Sequence, residues 1–187
     1  MSSQFPAHDA MNIHSAHQAF ERNNIDLYDQ VLIMHKSNAS QSADNNQPKN
    51  IHSNDLFVRI NPNIVQSIRA FRPYDLCHEA ISLNQHFLYA NCSHAINKAE
   101  VLEKVATSFY FPKHFGKNYD ALYNCLTDLL QKTGKQPGFV IVLEGLPTVH
   151  RFDKDARETL LDVFRDAAEF WAEQGNGVPF RVFYSFA

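Results

Sequence analysis

The sequence predicts an α/β fold, in which a small and largely parallel sheet is packed with helices. Segments rich in β-branched and aromatic residues alternate with segments whose apolar residues recur at helical spacing. One segment, FVIVLEG (Phe139–Gly145), is a continuous apolar run, which is typical of a strand buried on both faces of a parallel sheet. With 187 residues, the chain is long enough for one domain of ordinary size.

The predicted strands and helices follow each other after residue 55. Strand composition is found in four segments: LFVRI (Leu56–Ile60), HFLYANC (His86–Cys92), FVIVLEG, and FRVFYSF (Phe180–Phe186). Helical spacing is found in four others: Asn63–Arg72, Asn97–Phe109, Asn118–Gln131, and a longer segment from Asp155 to Gly175.

Residues 1–54 differ in composition from the rest of the chain. From Ser37 to Asn54 the sequence is almost wholly polar and has no periodicity. Such a segment cannot bury enough apolar surface to offset the entropy of ordering it. We therefore predict a flexible N-terminal extension and linker over residues 1–54 and a folded domain over residues 55–187. The histidines of the extension have no acidic or cysteine partners at ligand spacing, so we interpret them as polar residues rather than metal ligands: His8, His14, His17 and His35.

Charge and cysteine content narrow the class of protein. A net charge of -3 argues against a nucleic-acid footprint spread over the whole molecule. The three cysteines lack C-x-x-C spacing, so they predict neither a disulfide framework nor a zinc site. We see no basic segment followed by an apolar run, and no run of about 18 apolar residues. We therefore expect no secretory signal, no membrane span and a cytoplasmic location.

The stretch FPKHFGKNYDALYNCLTDLL (Phe111–Leu130) begins as an aromatic loop and continues as an amphipathic helix. Asn118 is a suitable N-cap, and Asp120 favours the positive end of the helix dipole. The polar side of the helix carries Asp120, Asn124, Thr127, Asp128 and Gln131. Any surface helix shows a polar side, but an aromatic loop either packs inward or offers a binding surface. From the residues alone, both interpretations stay open.

The helix from Asp155 carries a stripe of acids on one side and apolar residues on the other. The stripe consists of Glu158, Asp162, Asp166, Glu169 and Glu173. Such a stripe is usually a solvated face. The functional alternative is an acidic surface that attracts a basic partner and accelerates their encounter.

The residue pattern does not predict an enzyme. Cys125 and His114 could in principle form a nucleophile and base, but Cys125 lies at the flank of its helix, where it fits a small buried apolar residue. Asp120 and Asp128 are two turns apart, too far for a carboxylate pair. The sequence has no G-x-S-x-G, phosphate-loop or H-E-x-x-H motif. We therefore expect no catalytic residue, no metal and no cofactor.

The same stretch, FPKHFGKNYDALYNCLTDLL, resembles the signature of the barstar family, which are intracellular inhibitors of barnase-like ribonucleases. The resemblance extends from about Leu56 to Ala187 and includes a V-F-R-acid segment (Val163–Asp166) in the later helix. It implies a small, mainly three-stranded parallel sheet packed with helices. It also implies that the loop and an acidic helix enter the basic active site of the ribonuclease, where carboxylates stand in for RNA phosphates.

The resemblance further implies the partner and the residues that bind it. These residues are His114, Gly116, Asn118, Asp120, Tyr123, Asn124, Thr127 and Asp166. The implied partner is a basic ribonuclease or related toxin, bound one to one by a monomer, without direct contact to nucleic acid or membrane. Asn124 departs from the family pattern, which often has an acid there, and His114 stands where the family has Tyr. These departures leave open a second function, a barstar-like binding or immunity protein for a partner that is not a ribonuclease.

Overall fold

The chain folds into strands and helices that alternate along the sequence. The computed structural model describes residues 56–68, 71–174 and 177–187, so the predicted extension over residues 1–54 lies outside the described residues. The elements are, in order, β1 (Ile64–Ser67), α1 (Pro73–Ser82), β2 (His86–Asn91), α2 (Lys98–Ser108), α3 (Tyr119–Thr127), α4 (Leu129–Thr133), β3 (Phe139–Leu146), a 3₁₀ turn over His150–Phe152, α5 (Lys154–Glu173) and β4 (Phe180–Phe186).

The strands form one parallel sheet in the order β1-β4-β3-β2. Phe139 on β3 pairs with His86 on β2 and with Phe180 on β4. This central position, buried on both faces, explains why β3 is a continuous apolar run. The predicted α/β fold with a parallel sheet is confirmed. The described residues form four strands rather than the three that the resemblance implied, because β1 adds to the outer edge of β4.

The sheet separates two layers of helices. Helices α2, α3 and α5 cover one face and build the larger core on inward side chains such as Ile141 and Val182. Helix α1 and the turn around Phe57 cover the other face, where Phe57 stacks on Phe183 with ring centroids 6.1 Å apart. The side chains of successive strand residues alternate between these two layers.

Two predictions at the start of the domain are wrong. Leu56–Ile60 is a turn rather than a strand, because Phe57 packs down onto the sheet instead of pairing with it. The predicted helix over Asn63–Arg72 does not form; β1 occupies part of this segment, and the helix begins at Pro73. Arg72 has ψ 151°, the extended backbone expected before a proline, and Pro73 suits the first helical position.

The later elements agree more closely with prediction. Strands β2, β3 and β4 lie where their composition places them, and Asn97 caps α2 by accepting a hydrogen bond of 3.0 Å from the Glu100 amide. Helix α5 begins at Lys154, capped by Asp153. The predicted helix over Asn118–Gln131 is divided at Asp128 into α3 and α4. Among the described residues, no helix has both the length and the apolar content needed to cross a bilayer.

Cys77 and Cys92 are buried in the core, and this burial predicts that their thiols react slowly. Burial raises the pKa of both Cys77 and Cys92 to about 12. Because the thiolate is the reactive form, less than about one thiol in a thousand is ionised near pH 8. We expect neither cysteine to be alkylated by iodoacetamide in the native protein and both to be alkylated in urea, as measured by mass spectrometry. Rapid native alkylation of either would contradict the described packing.

Candidate functional site

The aromatic loop before α3 packs mostly inward. Phe111 is buried, with its ring centroid 5.8 Å from that of Phe109 and 5.4 Å from that of the half-buried Phe115. His114 precedes Phe115 and Gly116 follows it, and both of these residues are exposed. The phenylalanines therefore anchor the loop, and His114 and Gly116 remain accessible to a partner.

The entry into α3 is shaped by Lys117 and Asn118. Lys117 adopts a left-handed backbone with φ 48°, and its ammonium lies 3.4 Å from the carboxylate of Glu103. The Asn118 side chain accepts a hydrogen bond of 2.7 Å from the Ala121 amide, as the predicted N-cap should. Asp120 follows in the first turn and is exposed, so its carboxylate lies at the positive end of the helix.

Helices α3 and α5 lie side by side and enclose an open groove of about 660 Å³. It brings together four of the predicted site residues, namely Asp120, Tyr123 and Asn124 from α3 and Asp166 from α5. The complete lining, which defines the α3–α5 groove, is Tyr119, Asp120, Tyr123, Asn124, Val163, Asp166, Glu169, Phe170 and Glu173.

Two side-chain hydrogen bonds hold the walls of the groove together. The Tyr119 hydroxyl donates to the Ala156 carbonyl at 3.0 Å, and the buried Trp171 indole donates to the Leu126 carbonyl at 3.0 Å. Burial, together with the nearby carboxylate of Asp153, raises the pKa of the Tyr119 hydroxyl. The hydroxyl therefore stays protonated and able to donate at neutral pH.

The groove is acidic, and its acids are unneutralised. Asp120, Asp166, Glu169 and Glu173 line it, and no Lys, Arg or His does. Within the described part of the chain, none of these four carboxylates makes a hydrogen bond or salt bridge. A concave surface with charges of one sign focuses its field and attracts the opposite charge. The groove is thus suited to a cationic partner.

The other four predicted site residues lie outside the groove lining. His114, Gly116 and Asn118 lie in the loop and cap before α3. Thr127 lies in the last turn of α3. Its hydroxyl donates to the carbonyl of Tyr123 at 3.0 Å and to that of Asn124 at 3.2 Å. Partner contact by these residues stays a prediction.

Five groove residues were not among the predicted site residues. They are Tyr119, Val163, Glu169, Phe170 and Glu173. For α5, the spacing itself carries a signal, because positions 166, 169, 170 and 173 repeat at i, i+3, i+4 and i+7 and so share one side of a helix. What the spacing cannot show is which neighbour this side faces.

A second depression, of about 570 Å³, lies between β2 and α2, and its acids are already engaged. Glu100 accepts hydrogen bonds from the Ile96 amide at 2.9 Å and from the Asn97 side chain at 2.7 Å. Tyr89 donates to Glu144, and burial together with this bond raises the pKa of Tyr89 to about 12. In the part of the chain that the structure describes, no three His, Cys, Asp or Glu residues are grouped to hold a metal.

Comparison with known families agrees with this architecture. Residues 85–185 match the family model described as Barstar (barnase inhibitor). The chain belongs to the barstar family. The matched range contains β2, α2 to α5, β3 and nearly all of β4, and therefore the whole α3–α5 groove. Strand β1 and helix α1 precede the matched range. No match was found among individual curated proteins.

Proposed function

We propose that this protein inhibits a barnase-type ribonuclease by inserting the loop before α3 and the α3–α5 groove into the enzyme's basic active site. The observation that carries the proposal is the convergence of four unneutralised carboxylates, two of them Asp120 and Asp166, in one groove of a barstar-type fold. An enzyme that cleaves RNA must bind phosphates, so its active site presents cationic side chains.

Inhibition of this kind requires no chemistry from the inhibitor. The carboxylates take the place of RNA phosphates, and the helices exclude the substrate by their bulk. Charge complementarity accelerates encounter and discourages wrong partners. We propose a binding protein rather than an enzyme, with one copy bound to one ribonuclease molecule in the cytoplasm, and without contact to nucleic acid.

A second candidate is a barstar-type binding or immunity protein for a basic partner that is not a ribonuclease. The observation that favours it is Asn124, which is exposed and lines the groove without a charge. Its amide keeps the shape of an aspartate and can accept a hydrogen bond, but contributes no Coulomb attraction. An uncharged residue at this position suits a partner whose cationic side chains are arranged differently from those of a barnase-type active site.

The test is titration of the protein and of its Asn124→Asp variant into a ribonuclease assay with a barnase-type enzyme. We expect wild type to inhibit, and the variant to inhibit about tenfold more strongly, because it adds a carboxylate to a groove that opposes cations. Asp162→Asn is the matched control for changing a charge, since Asp162 lies on α5 outside the groove lining.

The outcomes separate the two candidates. Inhibition by wild type would support the ribonuclease inhibitor. Inhibition by Asn124→Asp alone would show an intact scaffold directed at another partner and would favour the second candidate. If neither protein inhibited the barnase-type enzyme, the first proposal would be rejected.

A further inference from the structure

The loop before α3, residues 110–117, begins and ends at residues with a strained backbone. Among the described residues, those other than glycine with a positive φ are Asn63, Asn84, Tyr110 and Lys117. Asparagine tolerates the left-handed region, because its short polar side chain can hydrogen-bond locally. Tyr110 and Lys117, with φ 54° and 48°, lack this tolerance, and they lie at the two ends of the loop. Strain of this kind persists only where the surrounding structure holds it, and it clusters at functional sites.

The left-handed backbone of Lys117 fixes how the loop enters α3. Asn118, the next residue, caps the helix by accepting a hydrogen bond of 2.7 Å from the Ala121 amide. Gly116, the preceding residue, packs closely against this cap, since a Cβ added there would lie 3.1 Å from the Asn118 Nδ2 atom. If Lys117 left the left-handed region, the loop that carries the exposed His114 would move relative to α3.

Helix α2 contacts the chain on both sides of the Asn118 cap. The Glu103 carboxylate lies 3.4 Å from the Lys117 ammonium, and the Lys98 ammonium lies 3.8 Å from the ring centroid of Tyr119. The side chains of Glu103 and Lys117 are both more than half exposed, and an exposed ion pair adds little to the stability of a whole fold. The preference of a lysine against a left-handed backbone is also a small, local free energy. The ion pair is therefore of the right order to decide the conformation of this one turn.

We propose that Glu103 is a positioning residue for partner binding, which acts through Lys117 to hold the loop in its binding arrangement before the partner arrives. The inference rests on the proposed function in one respect, since it takes the loop before α3 as part of the partner-binding face. Glu103 lines the second depression and not the α3–α5 groove, so its role is separate from the acids of the groove. A loop that is ordered beforehand loses less conformational freedom on binding, and this strengthens binding.

The first experiment needs no partner and compares E103Q, K117A and K117G in the full chain. Both variants at Lys117 lose the ion pair, but only glycine adopts the left-handed backbone without strain. The measurement is hydrogen exchange of the Ala121 amide by NMR, because this amide reports the Asn118 cap. We expect exchange about threefold faster than wild type in E103Q and K117A, and at least about threefold slower in K117G than in K117A. Equal rates in K117A and K117G would overturn the proposal.

Asn84 provides the matched control for these substitutions. It has φ 53° and lies in the connection between α1 and β2, away from the loop. N84A and N84G should differ in melting temperature, because only glycine avoids the strain, but the Ala121 amide should exchange as in wild type in both. If N84A accelerated this exchange as much as K117A does, the amide would report the stability of the whole fold, and the role assigned to Glu103 would fail.

The second experiment measures the dissociation constant of the same variants for a barnase-type ribonuclease. We expect K117G to bind about fivefold more tightly than K117A, although both lack the Lys117 charge. E103Q should weaken binding about threefold in the wild-type chain and should have no effect in the K117G background. Weakening by E103Q in both backgrounds would show that Glu103 contacts the partner directly, and it would overturn the positioning role.

The two experiments separate this inference from the proposed function. If wild type does not bind the ribonuclease but the exchange rates follow the expected order, the proposed function fails and the positioning of the loop by Glu103 stands. If wild type binds and inhibits the enzyme, and K117A and K117G bind it equally well, the proposed function stands and the positioning role is wrong.

Discussion

Replacing Asp120 and Asp166 together by alanine is expected to abolish most of the partner affinity while leaving the fold intact. The two carboxylates line the groove from α3 and α5, are exposed and form no salt bridge within the described residues. Each loss should weaken binding by about 2 kcal/mol, or about thirtyfold, a value common for central charged residues of an interface. Isothermal titration calorimetry with a barnase-type ribonuclease measures the effect.

The control for this double variant is Asp162, an acid of α5 that does not line the groove. Asp162→Ala removes a carboxylate that is paired with Arg165, so we expect an affinity within about threefold of wild type. In about 0.5 M NaCl the difference between wild type and the double variant should shrink, because salt screens the attraction between exposed charges. Unchanged affinity on removal of both Asp120 and Asp166 would mean that the partner binds elsewhere. Circular dichroism must show an unchanged fold, since Asp120 also contributes about 0.3–1 kcal/mol at the helix N-terminus.

The centre of the fold is predictable because its elements carry one dominant pattern. The uninterrupted apolar run of β3 predicts a buried strand, and the amphipathic repeat of α5 predicts a long helix. Both elements form where the sequence places them. The first part of the domain lacks such a pattern. Strand β1 has four residues, all half-buried, so no alternation is visible, and the apolar Leu56–Ile60 serves as a turn that covers the sheet. Pro73 and the acidic Asp75 in the first turn mark the start of α1 locally.

The candidate site is predictable in part, because some of its residues belong to a recognisable local pattern. The resemblance identifies Asp120, Tyr123, Asn124 and Asp166, and the structure places all four in one groove. A helical wheel also predicts that the acids of α5 are exposed, as they are. The wheel cannot divide these acids into those that face α3 and those held by Arg165. That division depends on how two helices distant in the sequence pack against each other, which no local pattern encodes.

Trp171 is one of the residues that hold those two helices together. Its side chain is 2% exposed, and its ring lies against Phe139, Phe170 and Phe180, with centroids 5.2, 5.3 and 6.3 Å away. Its indole N–H also satisfies the Leu126 carbonyl, one of the last-turn carbonyls of α3 that have no partner within the helix. Trp171 thus joins core, sheet and groove, although it does not line the groove itself.

Trp171→Ala is therefore expected to lower the free energy of unfolding by about 3–5 kcal/mol, since it leaves a cavity at the centre of the larger core. Trp171→Phe should cost less, about 1–3 kcal/mol, because a ring remains to fill most of the space and only the indole donor and a smaller volume are lost. Urea unfolding followed by circular dichroism gives both values. Tryptophan fluorescence cannot report on either variant, because Trp171 is the only tryptophan of the chain. We also expect Trp171→Phe to weaken ribonuclease binding while it stays folded, since the spacing of α3 and α5 sets the positions of Asp120 and Asp166. Full affinity in this variant would show that the spacing is held by the rest of the interface between the helices.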